Sequence, residues 1–222
     1  MAEISYDTRK QEMQALRRKR KRRQSIIRTV LTVVLIAAVV LGIKVIAGES
    51  PSKKVDRLAK TEIPDWIDSQ IMPAVGTSRR AENLEDVKGI VVHYVGNPGT
   101  TAQNNRDYYD NVGVEVNSHF VVGLEGEIIQ CIPLNEKSSA SNHRNRDTIS
   151  IEVCHPDETG KFTDVTYEAL VKLTAWLCET CDFDEEDIIR HYDVTGKMCP
   201  LYFVEHEDAW LQFKKDVMGV LK

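Results

Sequence analysis

Two histidines and a cysteine stand at points of the sequence where a metal site could be built. His93 lies near the end of the apolar run 89–95, His191 comes shortly after the apolar pair at 188–189, and Cys199 lies a little further along. Two neutral imidazoles and one thiolate suit Zn²⁺ and leave a fourth position for water, as in catalytic zinc sites. Spacing alone leaves the site open, because a single histidine beside a strand is often structural and a single cysteine in a loop is often inert packing.

Two charged side chains accompany this set. Glu152 stands in the alternating stretch 148–153, and Lys197 comes shortly before Cys199. A carboxylate can act as a general acid and base, and a lysine can stabilise negative charge on an oxygen. The structural alternatives are a solvated acid on an edge strand and an exposed cation in a loop.

Apolar periodicity indicates the strands that must position these residues. The β-branched run 89–95, bounded by glycines, predicts a strand buried on both faces. Residues 120–122 and 128–132 are joined through Glu125 and Gly126 and predict a hairpin. The alternation in 148–153 places its three apolar side chains on one face and Ser150, Glu152 and then Cys154 on the other.

Three helices are predicted around these strands. Thr100 or Thr101 can cap a helix that runs through Asp110, and Thr163 or Asp164 can cap a long helix ending near Phe183. A last helix is expected over about 204–220. Hairpin strands mixed with helix-linked strands predict an α/β fold, with a central mixed β-sheet flanked by helices.

The chain length and the net charge limit the number of domains and the kinds of partner that can be expected. The chain has 222 residues, enough for one ordinary domain and a short appendage. Residues 1–28 hold ten lysines and arginines and three acids, a net charge of +7. Because the whole chain carries −5, residues 29–222 carry −12. Nucleic acid is therefore not an expected partner, since affinity for phosphate backbones comes chiefly from cations that this acidic body lacks.

The basic N-terminus is typical of a membrane topology signal. Residues 17–23 are seven consecutive cations, and the apolar stretch 26–47 follows them. This pattern predicts a single transmembrane signal anchor at 26–47, preceded by a basic cytoplasmic tail over 1–25. The protein is then expected in the cell membrane as a single-pass protein with its catalytic domain outside. A cleaved signal peptide is one alternative, and a buried helix of a soluble domain is the other.

The remaining chain is divided into a linker over 48–62 and a domain over 63–222. Small, polar and charged residues fill the first part of the linker. We expect His143, His155 and His206 on the surface, whereas His119 is either a residue of the site wall or a packing residue. Cys178 and Cys181 are expected to pack in the core. Whether the four cysteines other than Cys199 form disulfides stays open.

Five stretches together resemble one enzyme family. They match, in order, the zinc-dependent N-acetylmuramoyl-L-alanine amidases of type 2, which share a fold with phage lysozyme-like amidases and peptidoglycan recognition proteins. The resemblance covers about half of the chain. The matching stretches are residues 91–94, 118–122, 128–133, 148–154 and 191–200.

The resemblance implies one catalytic zinc ion bound by His93, His191 and Cys199. It implies that Lys197 lies beside the metal and that Glu152 matches the catalytic base of the bacterial and prophage branch. One position departs from the pattern. Phage members of the lysozyme-like branch carry a catalytic tyrosine just before the His-Phe pair, where this chain has Ser118.

The activity implied is hydrolysis of the amide between the lactyl group of N-acetylmuramic acid and L-alanine. Peptidoglycan or a muropeptide is the expected substrate, the membrane is a partner through the N-terminal helix, and oligomeric state is left open. Two other functions are possible. One is a peptidoglycan-binding module of the same fold that does not cut, which loss of a zinc ligand would mark. The other is a membrane-tethered scaffold whose basic tail binds anionic lipid or cytoplasmic partners.

Overall fold

The structure is a computed structural model that describes residues 50–221 and, before them, residues 22, 26, 27, 29, 30 and 32–34. The eight earlier residues are helical and exposed. The predicted tail 1–25 and the predicted span 26–47 therefore lie largely outside the described residues. Within the described residues, no helix combines the length and the hydropathy that crossing a bilayer requires.

A six-stranded mixed sheet is the centre of the compact unit that begins at Ser50. The strand order is β1-β4-β3-β5-β2-β6, and every neighbouring pair is parallel except β3 with β4. This arrangement confirms the predicted α/β fold with a central mixed sheet. The strands are β1 (Asp68–Ser69), β2 (Ile90–Tyr94), β3 (Phe120–Val122), β4 (Ile128–Gln130), β5 (Ile149–Val153) and β6 (Ile188–Arg190).

Between residues 50 and 221, six α-helices and two short 3₁₀ turns connect or flank the strands. The 3₁₀ turns are Asn142–Arg146, before β5, and Glu185–Asp187, before β6. The helices are α1 (Pro51–Leu58), α2 (Ala102–Tyr109), α3 (Asp164–Cys181), α4 (His191–Thr195), α5 (Leu201–Glu205) and α6 (Glu207–Val220).

Apolar side chains cover both faces of the sheet, but unequally. One face packs against α1, α3, α5 and α6 in a large core that includes Val92, Ile151, Leu173 and Phe213. The other face packs against α2 in a smaller cluster. Burial on both faces explains why β2 is an unbroken apolar run before His93.

The strands and caps agree closely with the sequence predictions. Thr101 caps α2 and accepts a hydrogen bond from the Asn104 backbone N–H, while Thr163 caps α3 by accepting from the Thr166 N–H. Helix α3 ends at Cys181, followed by Asp182 in the left-handed conformation. The hairpin of β3 and β4 also forms as predicted.

The last helix differs from the prediction because it is interrupted at His206. Helix α5 ends at Glu205 and α6 begins at Glu207, with His206 in a non-helical conformation. The buried Arg190 side chain donates to the Phe203 carbonyl at 2.9 Å and to the Glu207 carboxylate at 2.6 Å. The carbonyl that a continuous helix would pair with the Glu207 N–H is therefore paired with Arg190 instead.

The N-terminal part of the predicted linker also differs. Residues Pro51–Leu58 form α1, and Val55 and Leu58 are buried in the same core as the sheet. Proline at the start of α1 suits the first turn of a helix, where a missing N–H has no helical partner. The folded unit therefore begins before Ile63, because two apolar residues spaced by three positions give the segment a face to bury.

All five cysteines are buried and free. Cys178 and Cys181 lie on α3 in the larger core, as expected for packing residues. Burial raises the pKa of each of these two thiols to about 12, so both stay protonated near neutral pH.

Candidate metal centre

His93 and Glu152 lie side by side on neighbouring strands. The parallel register of β2 with β5 pairs these two residues directly. Both side chains point to the sheet face opposite the larger core, because their neighbours Val92 and Ile151 point into that core. The gap between His93 Nδ1 and Glu152 Oε1 is 3.9 Å.

His191 and Cys199 reach the same point from β6 and the loop that follows it. Because β6 pairs in parallel with β2, His191 emerges beside the carboxyl end of β2. Gly196 then ends α4 in the left-handed conformation, which favours glycine and reverses the chain. The Tyr192 N–H donates to the Cys199 carbonyl at 2.9 Å, so the loop folds back onto the start of α4.

The two imidazoles and the thiol form a tight buried group. His93 Nδ1 lies 3.1 Å from His191 Nδ1 and 3.8 Å from Cys199 Sγ. One nitrogen or sulfur atom from each of the three residues lies within 4.8 Å of the others. The structure thus brings together the three residues predicted as metal ligands.

The outer nitrogens of both imidazoles have partners on one loop. His93 Nε2 lies 3.0 Å from Ser141 Oγ, and His191 Nε2 lies 2.9 Å from Asn142 Oδ1. Both Nδ1 atoms therefore face the group, whereas both Nε2 atoms are engaged outside it.

Electrostatics keep both histidines neutral. Burial holds the pKa of His93 well below its usual value, and the neighbouring His191 ring and the positive charge of Lys197 disfavour a second cation there. Burial and the positive charge of Lys197 also lower the pKa of His191. Burial also raises the pKa of Cys199 to about 12. Without a metal ion bound to it, the Cys199 thiol holds its proton and is a poor nucleophile.

Glu152 has a partly buried side chain, 18% exposed, with one carboxyl oxygen that lacks a partner. Its Oε2 is buried and has no hydrogen-bond partner. Burial raises the pKa of Glu152 to about 8, and the positive charge of Lys197 opposes that rise. A carboxyl group with a pKa near neutrality can both take up and release a proton under working conditions.

These groups open into one cleft of about 400 Å³. All five predicted site residues line it, and Lys197 is exposed at its surface. Residues that the sequence analysis did not single out for the site also line the cleft, namely Val95, Gly96, Asn105, Tyr108, Tyr109, Val116, Asn117, Ser139 and Ala140, with Tyr94 from the matched motif.

Tyr109 also lines the cleft, and its side chain, which carries a hydroxyl group, is buried. It projects from α2, and its hydroxyl lies 3.4 Å from Ser118 Oγ. Burial, with the nearby charge of Glu152, raises the pKa of Tyr109 well above its usual value. Its place at the end of a capped helix was predicted, but its approach to Ser118 depends on the packing of α2 on the sheet.

The other histidines divide between surface and interior. His143 and His206 are exposed as predicted, whereas the prediction for His155 was wrong. His155 is 1% exposed, stacks on Tyr94 and donates from Nδ1 to the Asp157 carbonyl at 2.7 Å. His119 is fully buried and bridges Ser150 and the Glu136 carbonyl, so it is a packing residue.

The donor set fits a zinc ion. Two imidazoles with Nδ1 turned inward, one thiol and an adjoining open cleft match a site with three protein ligands and room for a fourth. Outer hydrogen bonds from the ligand histidines are a usual feature of such sites.

Fold and cleft together define an α/β domain whose candidate metal centre lies at the carboxyl ends of parallel strands. The chain belongs to the N-acetylmuramoyl-L-alanine amidase family, whose model matches residues 83–201. That range contains all five predicted site residues.

Individual relatives agree with this membership. The chain is 31% identical over 161 residues to the N-acetylmuramoyl-L-alanine amidase CwlL of Bacillus licheniformis, covering 65% of this chain and 44% of the relative. It is 32% identical over 167 residues to the amidase BlyA of Bacillus subtilis (strain 168), covering 66% and 45%. The chain thus spans less than half the length of these relatives.

A solved structure shares the fold. A mutant endolysin from Bacillus subtilis superposes with a TM-score of 0.60 at 26% identity, covering 68% of this chain and 97% of the endolysin. The similarity confirms the α/β architecture that the sequence predicted.

Proposed function

We propose that this chain hydrolyses the amide between the lactyl group of N-acetylmuramic acid and L-alanine in peptidoglycan. The observation that carries the proposal is the juxtaposition of His93, His191 and Cys199, within 4.8 Å of one another, with the Glu152 carboxyl group in one cleft. Membership in the amidase family supports the choice of substrate.

One zinc ion would be held by His93 Nδ1, His191 Nδ1 and Cys199 Sγ. A bound zinc ion would act as a Lewis acid that lowers the pKa of a water molecule to near neutrality and polarises a carbonyl group. The two neutral imidazoles offer lone pairs without first losing a proton from a cationic ring. Cys199 must lose its proton, which a neighbouring cation favours.

Glu152 is the proposed general base and acid. Its unpaired Oε2 is free to take a proton from the attacking water and then pass it to the departing L-alanine nitrogen. Lys197, exposed at the cleft, would stabilise the negative charge that develops on the carbonyl oxygen. The non-catalytic alternative lacks a comparable role for a carboxyl group with a buried, unpaired oxygen.

Glu152→Gln tests the proposed chemistry. Glutamine keeps the shape of the side chain but cannot accept the proton, so release of L-alanine amino termini from purified peptidoglycan should fall by about 10²-fold or more. Mass spectrometry of the fragments identifies the bond cut, and metal analysis should show unchanged zinc. Glu125→Gln, on the exposed hairpin turn, is the matched control and should keep full activity.

Two outcomes would contradict the proposal. Near-normal cleavage by the Glu152→Gln protein would assign the base to another group. Bound zinc and bound fragments without any cleavage by the unmodified chain would favour a peptidoglycan-binding module.

We also propose that residues 26–47 anchor the chain in the cell membrane, with residues 1–25 in the cytoplasm and the amidase domain outside. The cations at 17–23 before the apolar stretch support this orientation. Delivery outside the membrane would place the domain where peptidoglycan lies.

A further inference from the structure

The loop before β5 holds the outer edges of both candidate ligand histidines. Ser141 and Asn142 are consecutive residues, yet one lies beside His93 Nε2 at 3.0 Å and the other beside His191 Nε2 at 2.9 Å. His93 lies on β2 and His191 is the first residue of α4, 98 positions further along the chain. A single turn of backbone therefore contacts both sides of the group.

This turn is itself held in place. The Asn145 side-chain oxygen accepts from the Ala140 N–H at 3.1 Å and from the Ser141 N–H at 2.6 Å. The Arg144 N–H donates to the Ser141 carbonyl at 3.0 Å, and Thr148 donates to the Arg144 carbonyl at 2.7 Å. Ser141 is fully buried, so its hydroxyl has little freedom to turn away from His93.

Asn142 adopts a backbone conformation that side chains other than glycine seldom take. Its φ is +53°, in the left-handed region, where asparagine is tolerated better than most residues. This conformation accompanies the placement of Oδ1 next to His191 Nε2.

The hydrogen bonds have a consequence for the protons of the two rings. An amide oxygen only accepts, so the His191 Nε2 beside Asn142 must carry the proton. A neutral ring protonated at Nε2 has its lone pair on Nδ1, which is the atom facing His93 and Cys199. The Ser141 hydroxyl both donates and accepts, so it can accept from His93 Nε2 when a metal occupies His93 Nδ1, and can donate to Nε2 when His93 Nδ1 donates to His191.

We propose that Asn142 and Ser141 are positioning residues: Asn142 holds His191 in the Nε2–H tautomer, and Ser141 orients His93 and accepts from its Nε2 when Nδ1 binds the metal. This inference rests on the proposed zinc centre. It extends that proposal to two residues that neither carry nor bind the reacting atoms.

Asn142→Gly and Asn142→Asp separate the side chain from the backbone. Glycine takes the left-handed conformation freely and removes only the acceptor, whereas aspartate keeps an acceptor oxygen at the same place. Chelator competition on the full chain should show zinc binding weakened about 10- to 100-fold by Asn142→Gly and by Ser141→Ala. Asn142→Asp should restore the affinity to within about threefold of the unmodified chain.

The tautomer is read out separately by ¹⁵N NMR of the ring nitrogens in the metal-free chain. The unmodified protein should show His191 protonated at Nε2, and Asn142→Gly should give a mixture of the two tautomers. His143→Ala, at the next position in the same turn and exposed, is the control and should change neither measurement.

The possible results distinguish this inference from the proposed function. Unchanged zinc affinity and an unchanged tautomer in Asn142→Gly would overturn the positioning role while leaving the amidase proposal intact. Weakened zinc binding in the variants, with no amide cleavage by the zinc-loaded unmodified chain, would support the positioning role and overturn the proposed function. Failure of the unmodified chain to bind zinc would overturn both.

Discussion

The protonation state of the Cys199 thiol depends on whether a metal ion is bound to it. Without a metal cation beside it Cys199 holds its proton, because burial raises its pKa to about 12. Its sulfur nevertheless lies 3.8 Å from His93 Nδ1, within a group of three atoms that could bind a metal ion. The thiol is therefore better suited to a metal than to nucleophilic attack.

Cys199→Ser and His93→Ala should each remove most of the bound zinc. Three protein ligands leave no redundancy, and two do not easily hold a tetrahedral ion. Metal analysis of the purified protein measures the loss, with His143→Ala as a histidine control outside the group. Stoichiometric zinc in the Cys199→Ser protein would show that the ligand set is different.

His119 makes folding stability depend on pH. Its Nδ1 accepts from the Ser150 N–H at 3.0 Å and its Nε2 donates to the Glu136 carbonyl at 2.8 Å, so the buried ring is neutral. Burial lowers its pKa from 6.5 to about 4. The stabilising effect is complete above the unfolded pKa. It is lost as pH falls from about 6.5 towards 4, because the unfolded chain then binds a proton that the folded chain excludes.

The expected loss from His119 is about 2 kcal/mol of unfolding free energy between pH 7.5 and pH 5. Urea unfolding at the two pH values measures this difference, and in His119→Gln it should shrink by that amount. NMR titration provides an independent check, since the ring of His119 should not titrate above about pH 5. A His119 ring that titrates near pH 6.5 would contradict the expectation.

At the scale of elements, helix α1 ties the start of the folded unit to the core. Val55 and Leu58 are both buried against a core that also contains side chains of α3. A helix of eight residues is too short to be stable alone in water, so this packing must hold it in place.

Leu58→Ala should destabilise the fold by about 2 to 5 kcal/mol, since the side chain is only 3% exposed and its removal leaves a cavity. Lys53→Ala, on an exposed position of the same helix, should change stability by less than about 0.5 kcal/mol. Thermal or urea unfolding at pH 7 compares the two. Equal stability of the Leu58→Ala protein and the unmodified chain would mean that α1 does not contribute to the folded core.

At the scale of the whole molecule, charge separates the chain into two parts of opposite sign. Residues 1–28 carry +7 and the rest carries −12. A basic end followed by an apolar stretch is retained in the cytoplasm, whereas an acidic domain has no comparable signal to stay there.

Protease added to intact protoplasts should therefore digest the domain and leave a small membrane-bound fragment that contains residues 1–47. An epitope at each end of the chain, followed by immunoblotting, identifies which part is protected. Protection of the domain would contradict the proposed orientation. A mature N-terminus at Gly48, found by sequencing, would replace the anchor with a cleaved signal peptide.

The local elements of this protein could be predicted from short stretches of its sequence. Apolar runs and alternation predicted β2, β5 and the hairpin, and threonines at the starts of α2 and α3 predicted the caps. These features are set by side chains within a few positions of one another, which is why they can be read without the fold. The matched motifs also pointed to the five candidate site residues.

How those residues come together depends on packing between distant parts of the chain. Pairing of β2 with β5 and β6 brings His93, Glu152 and His191 together, and the loop carrying Ser141 and Asn142 closes around two rings far apart in the chain. The burial of Leu58 and His155 could not be predicted from the local sequence either, because each depends on contacts with residues of other elements. Contacts of this kind arise when the whole chain packs, and no short stretch of sequence encodes them.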